Sequence, residues 1–151
     1  MIIAGPERVA RGERAALLRL LTRHEGRRAH PYLDTAGRLT IGVGCNLTDR
    51  GLSGDEIDLL LANDIRVARA ACRRLYGDGF DTASMPRRHA LVSMAFNLGQ
   101  PRLAGFRKLR AAVRRGDWEA AAAEALDSRW ATQTGSRATE LAAMLRAEGG
   151  G

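Results

Sequence analysis

HEGRRAHPYLDTAGRLTIGVG, running from His24 to Gly44, holds nearly every turn and strand signal in a chain that otherwise reads as helix. Pro31 followed by Tyr32 disfavours a helix here, because proline removes an amide donor and fixes φ. Asp34 to Gly37 (DTAG) is a turn: aspartate bonds the backbone two residues on, and glycine tolerates positive φ. RLTIGVG then alternates from side to side, with Leu39, Ile41 and Val43 on one face and Thr40 on the other. The expectation is a small antiparallel hairpin or three-stranded sheet, with Leu39 packed inward and Thr40 turned outward. The same stretch carries Glu25 and Asp34. An isolated β patch holding two acids, in an Ala/Leu/Arg-rich helical chain, reads as a site rather than a scaffold.

On its N-terminal side, Glu13 to His24 reads as a helix, with Ala16, Leu17, Leu20, Leu21 and His24 at three- and four-residue steps. Gly26 sits where a helix C-terminus would place it, so Glu25 falls at the last turn. On the other side, Ser53 to Glu56 (SGDE) is a capping box with acids in the first turn of a long helix. Ile57, Leu60, Leu61, Ile65, Ala68 and Cys72 give it an apolar stripe. A helix of about 20 residues spans ~30 Å. Such a rod, about 53–73, can join a small N-terminal lobe, about 13–52, to a larger one, about 74–148, within a single domain of residues 1–151.

YGDGFDTASMP reads as a loop, and four helical segments follow it. Ser84 and Pro86 open one that runs to Leu98, with Ala90, Leu91, Met94 and Ala95 inward, and Gly99 and Pro101 end it. Phe106, Leu109 and Val113 mark the next. Asp117 caps a third, WEAAAAEAL, and Ser136 caps a last one with Leu141, Ala142 and Leu145 inward. A short turn at Ser128 to Trp130 lies between these two, and the terminal glycines are expected to fray. The fold class is α+β and mostly α.

With 151 residues, 45% of them hydrophobic, the chain can bury a core; at 5% aromatic, that core must be mainly Leu, Ala, Val and Ile. Lys and Arg exceed Asp and Glu by 24 to 17, a net charge of +7 that favours polyanions: nucleic acid, an anionic membrane or an acidic wall polymer. Cys45 and Cys72 are too few for a disulfide framework and lack metal-binding spacing. No apolar run approaches the roughly 20 residues of a membrane span, and the opening residues lack a secretory h-region. The chain is therefore expected to be made soluble in the cytoplasm, without stable membrane insertion.

Most acids, such as Asp49, Asp55, Glu56, Asp58, Asp117 and Glu119, sit at helix starts or on polar faces. Glu25 and Asp34 do not. They lie nine residues apart, with Thr40 six further on, and a tight hairpin can bring all three to one face of a groove. Two carboxylates across a groove are the minimal equipment for glycoside hydrolysis. One protonates the leaving oxygen and the other activates water or stabilises the cation.

EGRRAHPYLDTAGRLTIGVG resembles the signature of the phage-type lysozymes, the glycoside hydrolase family 24 endolysins. That signature is an E-G pair, an aromatic-x-D, then G-x-x-T-I-G-x-G. RRHALVSMAFNLG (Arg87 to Gly99) with LAGF (Leu103 to Phe106), and GDWEAAAAEALDSRWATQTGSRA (Gly116 to Ala138), resemble the family's later helices, so the similarity covers nearly the whole chain after about residue 14. The resemblance implies a lysozyme-like fold with the glycan strand of bacterial peptidoglycan bound between two lobes. It implies hydrolysis of the N-acetylmuramic acid to N-acetylglucosamine β-1,4 link with inversion expected. It implies Glu25 as general acid, Asp34 as the acid that positions and activates water, and Thr40 as the residue helping to hold that water. Arg137 matches an arginine paired with the general acid. Phe96 and Asn97 match the floor of the saccharide groove, and Arg129 and Trp130 a framework pair. No metal or organic cofactor is implied, and the chain is expected to act as a monomer on the cell wall after release.

Two positions depart from the pattern. Cys45 stands where a supporting histidine is expected, and its thiol has no evident partner. Asn46 lies at the groove edge or serves the turn. Two rival functions remain open on residues alone: a lytic transglycosylase, for which Glu25 would suffice, and a non-catalytic binder of wall or polyanion. Nucleic acid is not expected as a partner, because no helix carries a dense basic and aromatic face.

Overall fold

A computed structural model describes residues 11–148. The opening ten residues, where the absence of a leader was read, and the glycine tail lie outside the described residues. The elements in order are α1 (Arg11–Glu25), β1 (Arg28–Leu33), β2 (Leu39–Gly42), β3 (Cys45–Asn46), α2 (Gly54–Tyr76), α3 (Asp78–Asp81), α4 (Met85–Leu98), α5 (Gln100–Ala104), α6 (Arg107–Arg114), α7 (Trp118–Leu126), α8 (Arg129–Thr134) and α9 (Ser136–Arg146). The α+β, mostly helical class read from the sequence is the class observed. The chain divides into two compact units between Ile57 and Asp58, inside α2.

In the first unit the three strands form one antiparallel sheet with β2 in the centre. Tyr32 and Leu33 of β1 pair with Thr40 and Leu39, and Asn46 and Cys45 of β3 pair with Thr40 and Ile41. The ladder is irregular between Arg28 and Tyr32, where Pro31 has no amide hydrogen to give. The Arg28 guanidinium stacks over the Tyr32 ring at 4.3 Å.

The alternation of β2 is as expected, but its inner and outer faces are reversed. Leu39 is 42% exposed and Thr40 only 4%. The reason is local. The Thr40 hydroxyl donates to the Arg38 carbonyl at 3.0 Å, so its hydrogen is satisfied without water, while the described residues of the first unit include no buried apolar residue for Leu39 to join.

The capping box at Ser53 forms as read. The Glu56 amide donates to Ser53 Oγ at 3.3 Å and the Ser53 amide to Glu56 Oε2 at 2.8 Å. The apolar stripe of α2 is buried only at its C-terminal end, at Ala68, Ala71, Cys72, Leu75 and Tyr76; Ile57, Leu60, Leu61 and Ile65 are exposed.

The second unit contains the core. Tyr76, Phe80, Leu91, Met94, Leu103, Leu109, Val113 and Leu145 are fully buried together with Cys72. Helix α7 packs on α6 and α9, and α4 on α9. Ala121, Ala122 and Ala125 of α7 are completely buried, and such small side chains let helix axes approach closely. This is how a chain poor in aromatics fills its interior.

Four details differ from the sequence reading. YGDGFDTASMP is not all loop: it contains α3, where an added Cβ at Gly79 would lie 2.6 Å from the Val113 carbonyl oxygen, so only glycine fits against α6. Gly99 alone ends α4, with φ 75°, and Pro101 instead lies in the first turn of α5, which suits proline. The turn at Ser128 to Trp130 extends into α8, with Ser128 Oγ accepting from the Ala131 amide. Ser136 is inside α9 rather than its cap; Gly135 holds the cap position. Asp117 caps α7 as expected, accepting from the Ala120 amide at 3.0 Å.

Candidate active site

Glu25 is the last residue of α1 and is exposed. The helix stops there because Gly26 turns with φ 74°, its amide bonded to the Thr22 carbonyl at 2.9 Å. The chain returns to Glu25 at the β2–β3 turn. Gly44 has φ 68°, and a Cβ built on it would fall 2.9 Å from Glu25 Oε2. The left-handed backbone at Gly44 requires glycine, and any Cβ there would push the Glu25 carboxylate aside.

Asp34 begins the DTAG turn. Its Oδ1 accepts from the amides of Ala36 and Arg38, each at 2.9 Å, and its Oδ2 accepts from Arg38 Nε at 3.2 Å. The Arg38 amide is the main cause that holds the Asp34 carboxyl below its ordinary range, ahead of the Ala36 amide and the guanidinium charge. Asp34 is thus held ionised and fixed in orientation.

Arg38 links the other hairpin residues. Its carbonyl receives the Thr40 hydroxyl, and its NH1 reaches Asp49 Oδ2 at 3.4 Å. Asp49 is joined to Asn46 by two bonds, Nδ2 to Oδ2 at 2.9 Å and the Asp49 amide to Asn46 Oδ1 at 3.0 Å. Of the two roles open to Asn46, these bonds are those of a turn residue.

Cys45 has a partner that the sequence did not suggest. Arg50 NH1 donates to its Sγ at 3.0 Å, and Arg50 NH2 pairs with Glu56 Oε1 at 2.7 Å. The correction has a plain cause: the turn after β3 folds the chain back, so a residue five positions on reaches the thiol. Arg50 and the Ser53 amide lower the Glu56 carboxyl to about 2.

Three further candidates lie in the second unit. Phe96 is 49% exposed and lines a cavity of about 270 Å³ with Asp64, Val67, Ala71, Gly99 and Gln100. The side chain of Asn97, also exposed, accepts from Trp130 Nε1 at 2.8 Å, which satisfies a buried indole. Trp130 is accordingly a framework residue. Arg137 is exposed in the first turn of α9.

The phage lysozyme family profile matches residues 22–148. The chain belongs to the phage lysozyme family. It is also 26% identical over 157 residues to the pre-baseplate central spike protein Gp5 of Enterobacteria phage T4, a match covering 86% of this chain and 27% of that protein. The chain thus spans about a quarter of the length of this curated relative. Phage lysozymes are cell-wall-lytic glycosidases, and the matched region takes in every candidate residue of the hairpin and of the later helices.

Within this phage-lysozyme hairpin, three residues matter that the sequence reading passed over. Gly44 shapes the surface against Glu25, and its signal was the paired glycines of GVG. Arg38 follows Asp34 by four residues beyond a turn, a spacing that allowed the clamp without demanding it. Arg50 had no sequence signal, because its partners depend on how the β3 turn closes. Chemically, the end of α1 offers an exposed carboxyl on Glu25, and the hairpin offers an ionised carboxylate on Asp34 held by hydrogen bonds.

Proposed function

We propose that this phage-lysozyme chain hydrolyses the β-1,4 link between N-acetylmuramic acid and N-acetylglucosamine in bacterial peptidoglycan. The observation that carries the reading is the hairpin itself: the Glu25 carboxylate lies against Gly44, while Asp34 is pinned ionised by two amides and Arg38. Glu25 gives its proton to the leaving glycosidic oxygen. Asp34, unable to hold a proton near neutral pH, draws one from the attacking water. Thr40 spends its hydrogen on the Arg38 carbonyl, which leaves its oxygen lone pairs to accept from that water. The product would have inverted anomeric configuration, as when water occupies the space between two carboxyls ~6.5–9.5 Å apart. Phe96, with the cavity beside it, and Asn97 are proposed to contact the sugar rings. Cys45 is proposed to support the turn through Arg50 rather than to act as a nucleophile, since a thiol nucleophile needs a base alongside it.

Mass spectrometry of soluble products from purified peptidoglycan tests the reaction. Muropeptides with ordinary reducing ends are expected. Products lighter by one water, with anhydro-muramic ends, would establish a transglycosylase in which Glu25 acts nearly alone. No soluble products from the folded protein would make it a wall-binding module.

A further inference from the structure

The stretch from Arg102 to Arg115 carries six cations and no acid. It contains α6, whose apolar residues Leu109, Ala112 and Val113 are buried in the core. Arg107, Arg110 and Arg114 recur at i, i+3 and i+7 and so share one helix face. Among the described residues none of these three, nor Lys108, takes part in an ion pair. Arg114 is fixed instead by its Nε donating to the Leu75 carbonyl at 2.8 Å.

This arrangement does not serve the helix. Arg107 and Lys108 occupy the first turn of α6, where the helix dipole disfavours positive charge, and its N-cap, Phe106, supplies no side-chain acceptor. A bound anion would satisfy the helix end and the side chains together. Cavities lie at both ends of the run. One of about 540 Å³ is bordered by Arg102, Arg107 and Lys108, with Glu124 and Asp127 offsetting part of their charge. The other, about 290 Å³, is bordered by Arg87, Arg114 and Arg115 with Asp78, Arg115 being paired with Asp117 at 3.3 Å. Two cationic cavities at the ends of a cationic face suit an extended chain of repeated charges better than a single ion.

The candidates for such a chain can be separated. A membrane would need an apolar face to enter it, and the apolar face of α6 is buried. A single-stranded nucleic acid would use aromatic platforms, but Phe106 is half-buried against the core and Trp118 is covered by the Arg87 guanidinium at 4.9 Å. We propose that the cationic face of α6 binds an anionic phosphodiester polymer of the bacterial cell wall and so holds the chain at its substrate. The choice of a wall polymer rests on the cell-wall reading above.

The test uses the full chain with a glycerol-phosphate oligomer as probe, titrated by fluorescence anisotropy at several salt concentrations. The unaltered chain should bind, with affinity falling as salt rises. Arg107→Gln/Lys108→Gln should bind roughly tenfold more weakly at low salt, with a log–log salt slope shallower by about 1.4, some 0.7 per cation removed. It should keep its unfolding midpoint and its rate on peptidoglycan stripped of phosphate polymers. Arg107→Lys/Lys108→Arg should bind as the unaltered chain does. The proposal fails if the unaltered chain ignores the oligomer, or prefers single-stranded DNA of equal charge. It also fails if the Gln pair loses as much on stripped peptidoglycan, for the face would then serve the glycan substrate itself. A chain that binds the oligomer yet leaves stripped peptidoglycan intact would sink the hydrolase and leave the α6 face standing.

Discussion

The two units are held together by different physics. Every buried apolar residue among those described lies between Ala68 and Leu145, in the second unit. Among the described residues of the first unit, only Thr40 is buried, and it is polar. What orders the hairpin is local bonding: the Asp34 turn, the Arg38–Asp49–Asn46 links, the Arg50–Glu56 pair and the Ser53 capping box. Apolar burial is cooperative and tolerant of detail at the surface. A frame of short polar bonds is easily bent at one residue, and it can aim side chains that a packed core would have to hide. Of the candidate catalytic residues, Asp34 and Thr40 belong to the polar frame and Glu25 stands beside it at the end of α1, while the buried apolar core lies in the second unit.

The largest effect should come from the core. Phe80 is buried between neighbouring helices and 1% exposed, so Phe80→Ala should cost ~3–5 kcal/mol in denaturant unfolding of the second unit. A cost below ~1 kcal/mol would mean that this side chain does not carry the packing assigned to it. Next comes Gly44→Ala. It meets a left-handed backbone and the Glu25 carboxylate at once, and should cost ~1–2 kcal/mol while displacing that carboxylate. Turnover should fall far more than stability does, and an active, equally stable variant would remove Gly44 from the site.

A third effect is confined to acid. The Glu56 carboxyl sits at about 2, below its ordinary value of 4.5, chiefly because of the bond from Arg50. A depressed carboxylate stabilises the fold above its unfolded value, and that contribution is lost as pH falls through the folded one. The difference in hydrogen-exchange protection at Thr40 between the unaltered chain and Glu56→Gln should therefore be full above pH about 4.5. It should have vanished near pH 2. A difference that persists there would contradict the pairing. The smallest effect is Leu39→Ala, within ~0.5 kcal/mol for so exposed a side chain. A loss of several times that would show that Leu39 is covered after all.

The two units were also unequally legible. The core helices announce themselves in sequence because burial imposes a helical period: Ala90, Leu91, Met94 and Ala95, then Leu109 and Val113, then Leu141, Ala142 and Leu145 all turned inward as read. The positions of Glu25 at a helix end and Asp34 at a turn were equally plain, since Gly26 and DTAG are local signals. The facing of β2 was not. Alternation gives two faces, but which one is covered depends on neighbours that a four-residue strand does not encode. The side chains that converge on Arg38 and Arg50 escaped notice for the same reason, as did the fit of Gly79 against Val113. Each is a meeting of residues whose distance is fixed by turns, not by period.

Glu25→Gln, followed by turnover of purified peptidoglycan and by the unfolding midpoint on the same preparation, is the most direct test. The substitution keeps the shape of an exposed side chain and removes the transferable proton. The proposed role of Glu25 as general acid, set apart from the apolar core, predicts a loss of ~10²-fold or more in rate, the range a general acid supplies, with the midpoint unmoved. Turnover at the original rate would contradict it.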